Sequence, residues 1–462
     1  MPDVLLIGNN LSVLVAAAEL GAAGRQVVLV TDGRPAGGHF RGLRLEGIDI
    51  DIGMVLLEQG GDPLSSGAVP ELAGYRPRVR YDWTRFGPLV DDWLRAQVDM
   101  VRTPTPEVVM DGRRWPDHLI ADRLDVLASG ELTAPQPLPR TDPRHAAAKV
   151  DSSAYDTMTY AEAAELNHGV DVQRRLITPF AEKLLGSAHS ALLARYHRSA
   201  WLPLYWPETV TAAVQGRPPG LTEHPFWTTA SGFVGDLVHS LERRVAGFDR
   251  VTVDGTEVDS VTPVDGRWEV RTKGGGRWVA AAPVVGLGPA RVQSLLGLPT
   301  SEREPGASVV AVCCLVRGAA IIHPAGCLSV VDPAYTTYRL TDQDALAGLD
   351  PQWHRVVVEA GPAAAARMAA GEDVEAALVA ELARLLGVDG SVDGDVRALK
   401  TLTARNAVAV PTVGSLAADA EAHDALQDAW PSAVLTGNLL GFGATSMNDQ
   451  VVQGLAAAQQ LR

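Results

Sequence analysis

Cysteine is scarce in this chain of 462 residues: there are three, Cys313, Cys314 and Cys327, all in one late segment. They are too few for a disulfide framework and too closely placed for a zinc ribbon, which points to a reducing compartment and no structural metal. Positive charge is also in deficit. The 40 Lys and Arg stand against 55 Asp and Glu, a formal net charge of −15. That mean field repels a polyanion, and no local basic patch overrides it, so nucleic acid is not an expected partner. The sequence has no apolar run of about 18 residues, so no membrane-spanning helix is expected. Its start, Met1-Pro2-Asp3-Val4, lacks the basic region of a secretory leader, and the apolar run after it stops at Gly8. A cytoplasmic location follows as the expectation. No internal repeat is visible. What remains is ordinary globular composition, 46% apolar and 21% charged, long enough for about two to four domains or one elaborated fold.

The opening fifty residues are the most informative. Val4-Leu5-Leu6-Ile7 is a continuous apolar run, as in a strand buried on both faces of a parallel sheet. Gly8-Asn9-Asn10 turns the chain, Leu11 to Leu20 has helical spacing, and Gly21 to Gly24 closes the helix. Val27-Val28-Leu29-Val30 is a second buried strand. This strand–turn–helix–strand unit opens a doubly wound sheet. Ile48 to Gly53 alternates with period 2 and reads as a strand. Residues 70–230 are rich in Trp, Pro and Arg and read as a mostly helical insertion, broken near Pro104-Thr105-Pro106 and Pro135 to Pro143. From Ser231 the pattern predicts a helix over Asp236 to Val245. Short strands follow at Val251 to Val261, Trp268 to Thr272 and Trp278 to Ala280. A further sheet is predicted over 308–340 and 354–360, an amphipathic helix over Asp373 to Leu386, a strand over Ala433 to Gly437 and a helix over Asp449 to Leu461.

A Gly-rich strand-to-helix turn binds dinucleotide pyrophosphate because small residues let backbone N–H groups and the helix N-terminus approach it. At the three positions of GxGxxG stand Gly8, Asn10 and Val13. The place of the acid that bonds ribose at the end of the second strand holds Thr31, with Asp32 one step later. By themselves these residues are as compatible with a purely structural βαβ unit as with a dinucleotide site. The amides of Asn10 and Asn438 could still meet phosphate or ribose, since an amide both donates and accepts.

Four segments, in order, resemble the large family of FAD-binding amine oxidases, protoporphyrinogen oxidases and UDP-galactopyranose mutases, nearest to its mutase-like members. They are the N-terminal unit followed by Gly37-Gly38-His39; Phe180-Ala181-Glu182-Lys183-Leu184-Leu185-Gly186; Ser231-Gly232-Phe233; and Gly437-Asn438-Leu439 with Met447-Asn448-Asp449-Gln450-Val451. The resemblance implies an α/β fold with a discontinuous Rossmann-like FAD-binding domain (1–70, 231–300 and 400–462). The helical insertion (71–230) and a β-sheet substrate domain (301–399) complete it. It implies FAD as cofactor, held by Gly8, Asn10, Leu11, Thr31, Asp32, Gly37, Gly38, His39, Gly437, Asn438, Asn448, Asp449, Gln450 and Val451. It places His39 by the flavin ring and Tyr338 and Arg339 on the substrate side.

Each of these residues has a chemistry to match. Imidazole trades protons near neutral pH, and the Arg339 fork suits a carboxylate or phosphate. Asp49 and Asp51 share one strand face, as a carboxylate pair or as a solvated face. Tyr196, His197, Arg198, Trp201, Tyr205 and Trp206 form an aromatic and basic cluster that suits a planar ligand or the packing of the insertion. Three functions stay open: an FAD-dependent oxidoreductase acting on a small, possibly anionic metabolite; a redox-neutral sugar-nucleotide mutase using reduced flavin; and a flavin-free scaffold or enzyme. A homodimer is a possible assembly.

Overall fold

The computed structural model describes residues 2–58, 72, 86–115, 157–202, 226–300, 306–388, 392–442 and 445–462. Five parallel strands form the first sheet, in the order Val251–Asp254, Val27–Val30, Val4–Gly8, Val284–Gly286, Val434–Leu435. Successive side chains of a strand point to opposite faces. Val4 and Leu6 therefore pack under the helices Leu11–Ala22, Gly235–Ala246 and Met447–Gln460. Leu5 and Ile7 pack on the other side, against the antiparallel strands Val258–Val264 and Arg267–Thr272 and the end of the helix Val413–Ala429. Chain order reverses beside Val4–Gly8: the next strands go to one side and Val284–Gly286 to the other. Open α/β sheets bind ligands at such a switch point, outside the carboxyl ends of the strands.

The second sheet has seven strands, in the order Val396–Val408, Ala307–Arg317, Trp353–Ala360, Thr337–Asp342, Cys327–Val330, Glu107–Met110, Arg113–Trp115. All neighbours are antiparallel except Cys327–Val330 with Glu107–Met110. One face is covered by the helices Pro362–Ala369 and Val374–Leu386, the other by Thr178–Leu185 and, farther along, by Ile50.

The expected elements from Ser231 onward form within a few residues of the expected bounds. Two boundaries differ. The strand Val396–Val408 lies wholly in the second sheet, so residue 400 divides a strand rather than two domains. The insertion contains helices, but also the strands Met100–Arg102, Glu107–Met110 and Arg113–Trp115. Their short apolar runs, such as Val108-Val109-Met110, find sheet partners far along the chain. The Pro135 to Pro143 break lies outside the described residues, as do Tyr205, Trp206 and the Trp206-Pro207-Glu208 segment. Among the described residues, no helix is long and apolar enough to cross a membrane, and no cluster of His, Cys, Asp and Glu could hold a metal.

Candidate functional site

The turn after the first strand sits at the switch point. Gly8 has φ +132°, and a Cβ there would lie 2.4 Å from the Gly286 carbonyl carbon, so only glycine fits. Asn10 is the N-cap of the first helix. Its Oδ1 accepts from the Val13 N–H at 3.1 Å and from the Ser12 hydroxyl at 3.1 Å. Its Nδ2 donates to Thr436 Oγ1 at 3.4 Å. Val13 stands where the third glycine of the motif would, and the neighbouring strand makes the room. A Cβ on Gly286 would lie 2.6 Å from Asn10 Oδ1 and 2.7 Å from Val13 Cγ1. The space is thus provided by a glycine that closes Val284-Val285-Gly286, a signal the sequence reading passed over.

The C-terminal helix supplies the rest of the turn's partners. The Leu11 N–H donates to Gln450 Oε1 at 2.9 Å. The Gly437 N–H donates to Gln453 Oε1 at 2.6 Å, and the one proton of the Ser12 hydroxyl is shared between that oxygen, at 3.3 Å, and Asn10 Oδ1. Asn448, Asp449, Gln450 and Val451 are all buried in the first turn of that helix, with Ser446 as its N-cap, while Asn438 is exposed. Thr31 is buried. Asp32, at φ +56°, accepts from the Val258 N–H at 2.8 Å and takes the Arg291 fork at 3.0 and 3.1 Å.

Gly37 lies against Val238 of the second long helix. His39 follows it into the space between the sheets. Protein crowds around it, while the residue keeps an exposed surface. Burial holds its pKa below the ordinary imidazole value; Glu359 pulls it up and Arg339 pushes it further down. Among the described residues no hydrogen bond ties the ring to its loop.

Glu359 and Arg339, buried in the second sheet, lie near enough to act on the charge of His39. The pairing of Thr337–Asp342 with Trp353–Ala360 shifts register between Thr337 and Arg339. Such an irregularity re-aims side chains, and here both Tyr338 and Arg339 reach one carboxylate. Tyr338 donates its hydroxyl to Glu359 Oε1 at 2.9 Å, and Arg339 grips Glu359 with Nε at 2.6 Å and Nη2 at 2.8 Å. Burial works to raise the Glu359 pKa, but the guanidinium and the two hydrogen-bonding partners outweigh it and hold the carboxyl below its ordinary range. The structure thus brings His39, Tyr338 and Arg339 together. It adds Glu359, which the sequence reading missed. That glutamate sits in the buried strand run Val356-Val357-Val358-Glu359-Ala360, where a lone charge demands a partner.

Other candidates separate. Asp51 is not solvated: it is buried and accepts from the Val234 and Gly235 N–H groups at 2.8 and 3.3 Å. Asp49 instead pairs with Arg44 at 3.6 Å. Lys183 donates to the backbone carbonyls of Val330 at 3.0 Å, Thr337 at 3.3 Å and Asp332, which joins its helix to the second sheet. Tyr196 is core, packed edge-on to Phe442, and His197 stacks on Tyr160.

No protein-family model matches the sequence, and no curated protein does. Solved structures do match. One is reduced UDP-galactopyranose mutase, 12% identical, covering 100% of this chain and 95% of that one with a TM-score of 0.68. The chain has the fold of the FAD-binding amine oxidase and UDP-galactopyranose mutase superfamily. A putative protoporphyrinogen oxidase from Exiguobacterium sp. 255-15 matches at 14% identity, covering 99% and 97%, with a TM-score of 0.60. Cyclohexylamine oxidase from Brevibacterium oxydans IH-35A matches at 18%, covering 100% and 98%, with a TM-score of 0.58.

That fold implies FAD, and three N–H groups around the cradle are already engaged within the chain. A bound pyrophosphate needs free N–H groups at the helix start. Here the N–H groups of Leu11, Val13 and Gly437 are each bonded to a side-chain amide oxygen of the chain itself. The ribose position holds a buried Thr31, and Arg291 engages Asp32.

Proposed function

We propose that this chain acts on a small polar metabolite beside His39, by redox-neutral acid–base chemistry, without FAD seated in the turn after its first strand. The observation that carries this reading is the bonding of the Leu11, Val13 and Gly437 N–H groups to Gln450, Asn10 and Gln453. What is left for chemistry is His39, an imidazole whose pKa burial holds below its ordinary value and which keeps an exposed surface. A neutral imidazole can take a proton from a bound ligand. The Arg339 fork is already engaged by Glu359. The pair's charges cancel, so an anionic ligand is not required; their role is to set the field at His39.

A second reading, an FAD-dependent oxidoreductase, draws on the shared fold and on Gly38. A Cβ there would meet nothing closer than 3.7 Å, in the backbone of Asn9 and Asn10, so space remains beside the turn. The absorbance spectrum of protein purified from flavin-replete cells decides between the two. A colourless protein supports the first reading. Stoichiometric FAD overturns it and favours the second. The first reading also expects that a ligand released from the protein exchanges a proton with deuterated solvent when returned to the wild type and not to His39→Ala. Equal exchange with both would remove His39 from the chemistry.

A further inference from the structure

We propose that the dinucleotide cradle of this fold has become a closed structural joint, in which the amide oxygens of Asn10, Gln450 and Gln453 stand in for the phosphate oxygens of a ligand. The inference rests on the flavin-free reading and says what replaced the cofactor. An unsatisfied helix start has N–H groups that need acceptors and a partial positive charge that favours negative atoms. In a dinucleotide-binding unit the pyrophosphate meets both needs.

Here three separate amides meet them. Asn10 Oδ1 takes Val13 N–H from within the turn. Gln450 Oε1 takes Leu11 N–H, and its own Nε2 is anchored on the Thr445 carbonyl at 3.1 Å, which fixes the side chain in place. Gln453, one helical turn on, takes Gly437 N–H and a share of the Ser12 hydroxyl proton through one oxygen. All three bonds from the C-terminal helix span more than four hundred residues of sequence or join the last strand to the last helix. The amides therefore tie three parts of the domain that a bound cofactor would otherwise hold. The helices are brought close enough for this by Gly454, where a Cβ would lie 2.6 Å from the Ser12 carbonyl oxygen. Gly286 gives the matching room on the sheet side.

The test compares melting temperatures of full-length variants with FAD, ADP or inorganic pyrophosphate added. The wild type should shift with none of them. Gln450→Met keeps the volume but removes the acceptor, so it should melt lower. Gln450→Glu keeps an acceptor for the Leu11 N–H but loses the Nε2 donor to the Thr445 carbonyl, so it should melt between Gln450→Met and the wild type. Gln450→Ala leaves Leu11 N–H bare beside new space, and inorganic pyrophosphate and ADP should raise its melting temperature. If Gln450→Met melts with the wild type, or Gln450→Ala gains nothing from either anion, the joint is steric filling and this inference fails while the flavin-free reading stands. If the wild type itself is stabilised by FAD, both fail together.

Discussion

Asp51 should make the protein lose stability as pH rises from acid to neutral, the reverse of the usual behaviour of a paired carboxylate. Its carboxyl is buried, and burial pushes its pKa up to about 7 against the pull of the Val234 and Gly235 N–H groups and of Arg355; Asp236 nearby adds to the rise. In the unfolded chain the same group titrates near 3.9, an ordinary value of about that size. Between those two values the folded state holds a proton that the unfolded state has released, so each step up in pH favours unfolding. The gap is about 3 units at about 1.36 kcal/mol each, so on the order of 4 kcal/mol is lost between about pH 4 and pH 7, with no further change above. Asp51→Asn is neutral throughout and still offers an oxygen to the helix start. Its own offset from the wild type, whatever its sign at acid pH, should move in the mutant's favour as pH rises. Urea unfolding of both proteins at about pH 5, 6, 7 and 8 reads the difference directly, and comparing the two cancels the other 54 acidic residues, one fewer than the 55 in the chain. A difference that stays constant over that range would refute the reasoning and mean that water or Arg355 keeps Asp51 ionised in the folded protein.

Three further outcomes are expected of the same fold. Glu359→Leu should cost about 3–5 kcal/mol in denaturant unfolding, because it strands the buried Arg339 guanidinium, and adding Arg339→Met should recover most of that loss; a double variant no better than the single would disprove the pairing account. Gly8→Ala should prevent folding or destabilise by several kcal/mol, since its Cβ meets backbone at Gly286 that cannot rotate away; a soluble variant with wild-type melting would show that the two strands sit farther apart. Burial pushes the thiols of Cys313 and Cys327 up to about 11 and 12, and Cys314 higher still, so the native protein should not react with a thiol reagent at about pH 8 until denaturant is added; rapid labelling would show that a core strand opens.

The sequence by itself determined the opening strands of the first sheet. Val4 to Ile7 and Val27 to Val30 are apolar on both faces, and only a strand buried in a parallel sheet gives such residues a place. The order of its glycine segments was enough to indicate the superfamily fold, because each marks a point where backbone must approach closely, as Gly8 does at Gly286 and Gly37 does at Val238. The state of the site was not legible in the same way. Asn10 and Val13 read as departures from a motif, Gln450 as a cofactor contact that the resemblance implied, and Gln453 carried no motif. That they bond to one turn depends on a contact between residues 11 and 450, which no local periodicity encodes. Asp51 read as one of two carboxylates on a strand face, but its partner is a helix start at residue 234. Glu359 carried no motif; a register shift on the neighbouring strand turned Tyr338 and Arg339 toward it. Strand and helix follow from short-range pattern; which polar groups satisfy one another across the fold is decided only when the chain has closed, because a buried donor takes whichever acceptor the packing brings within reach.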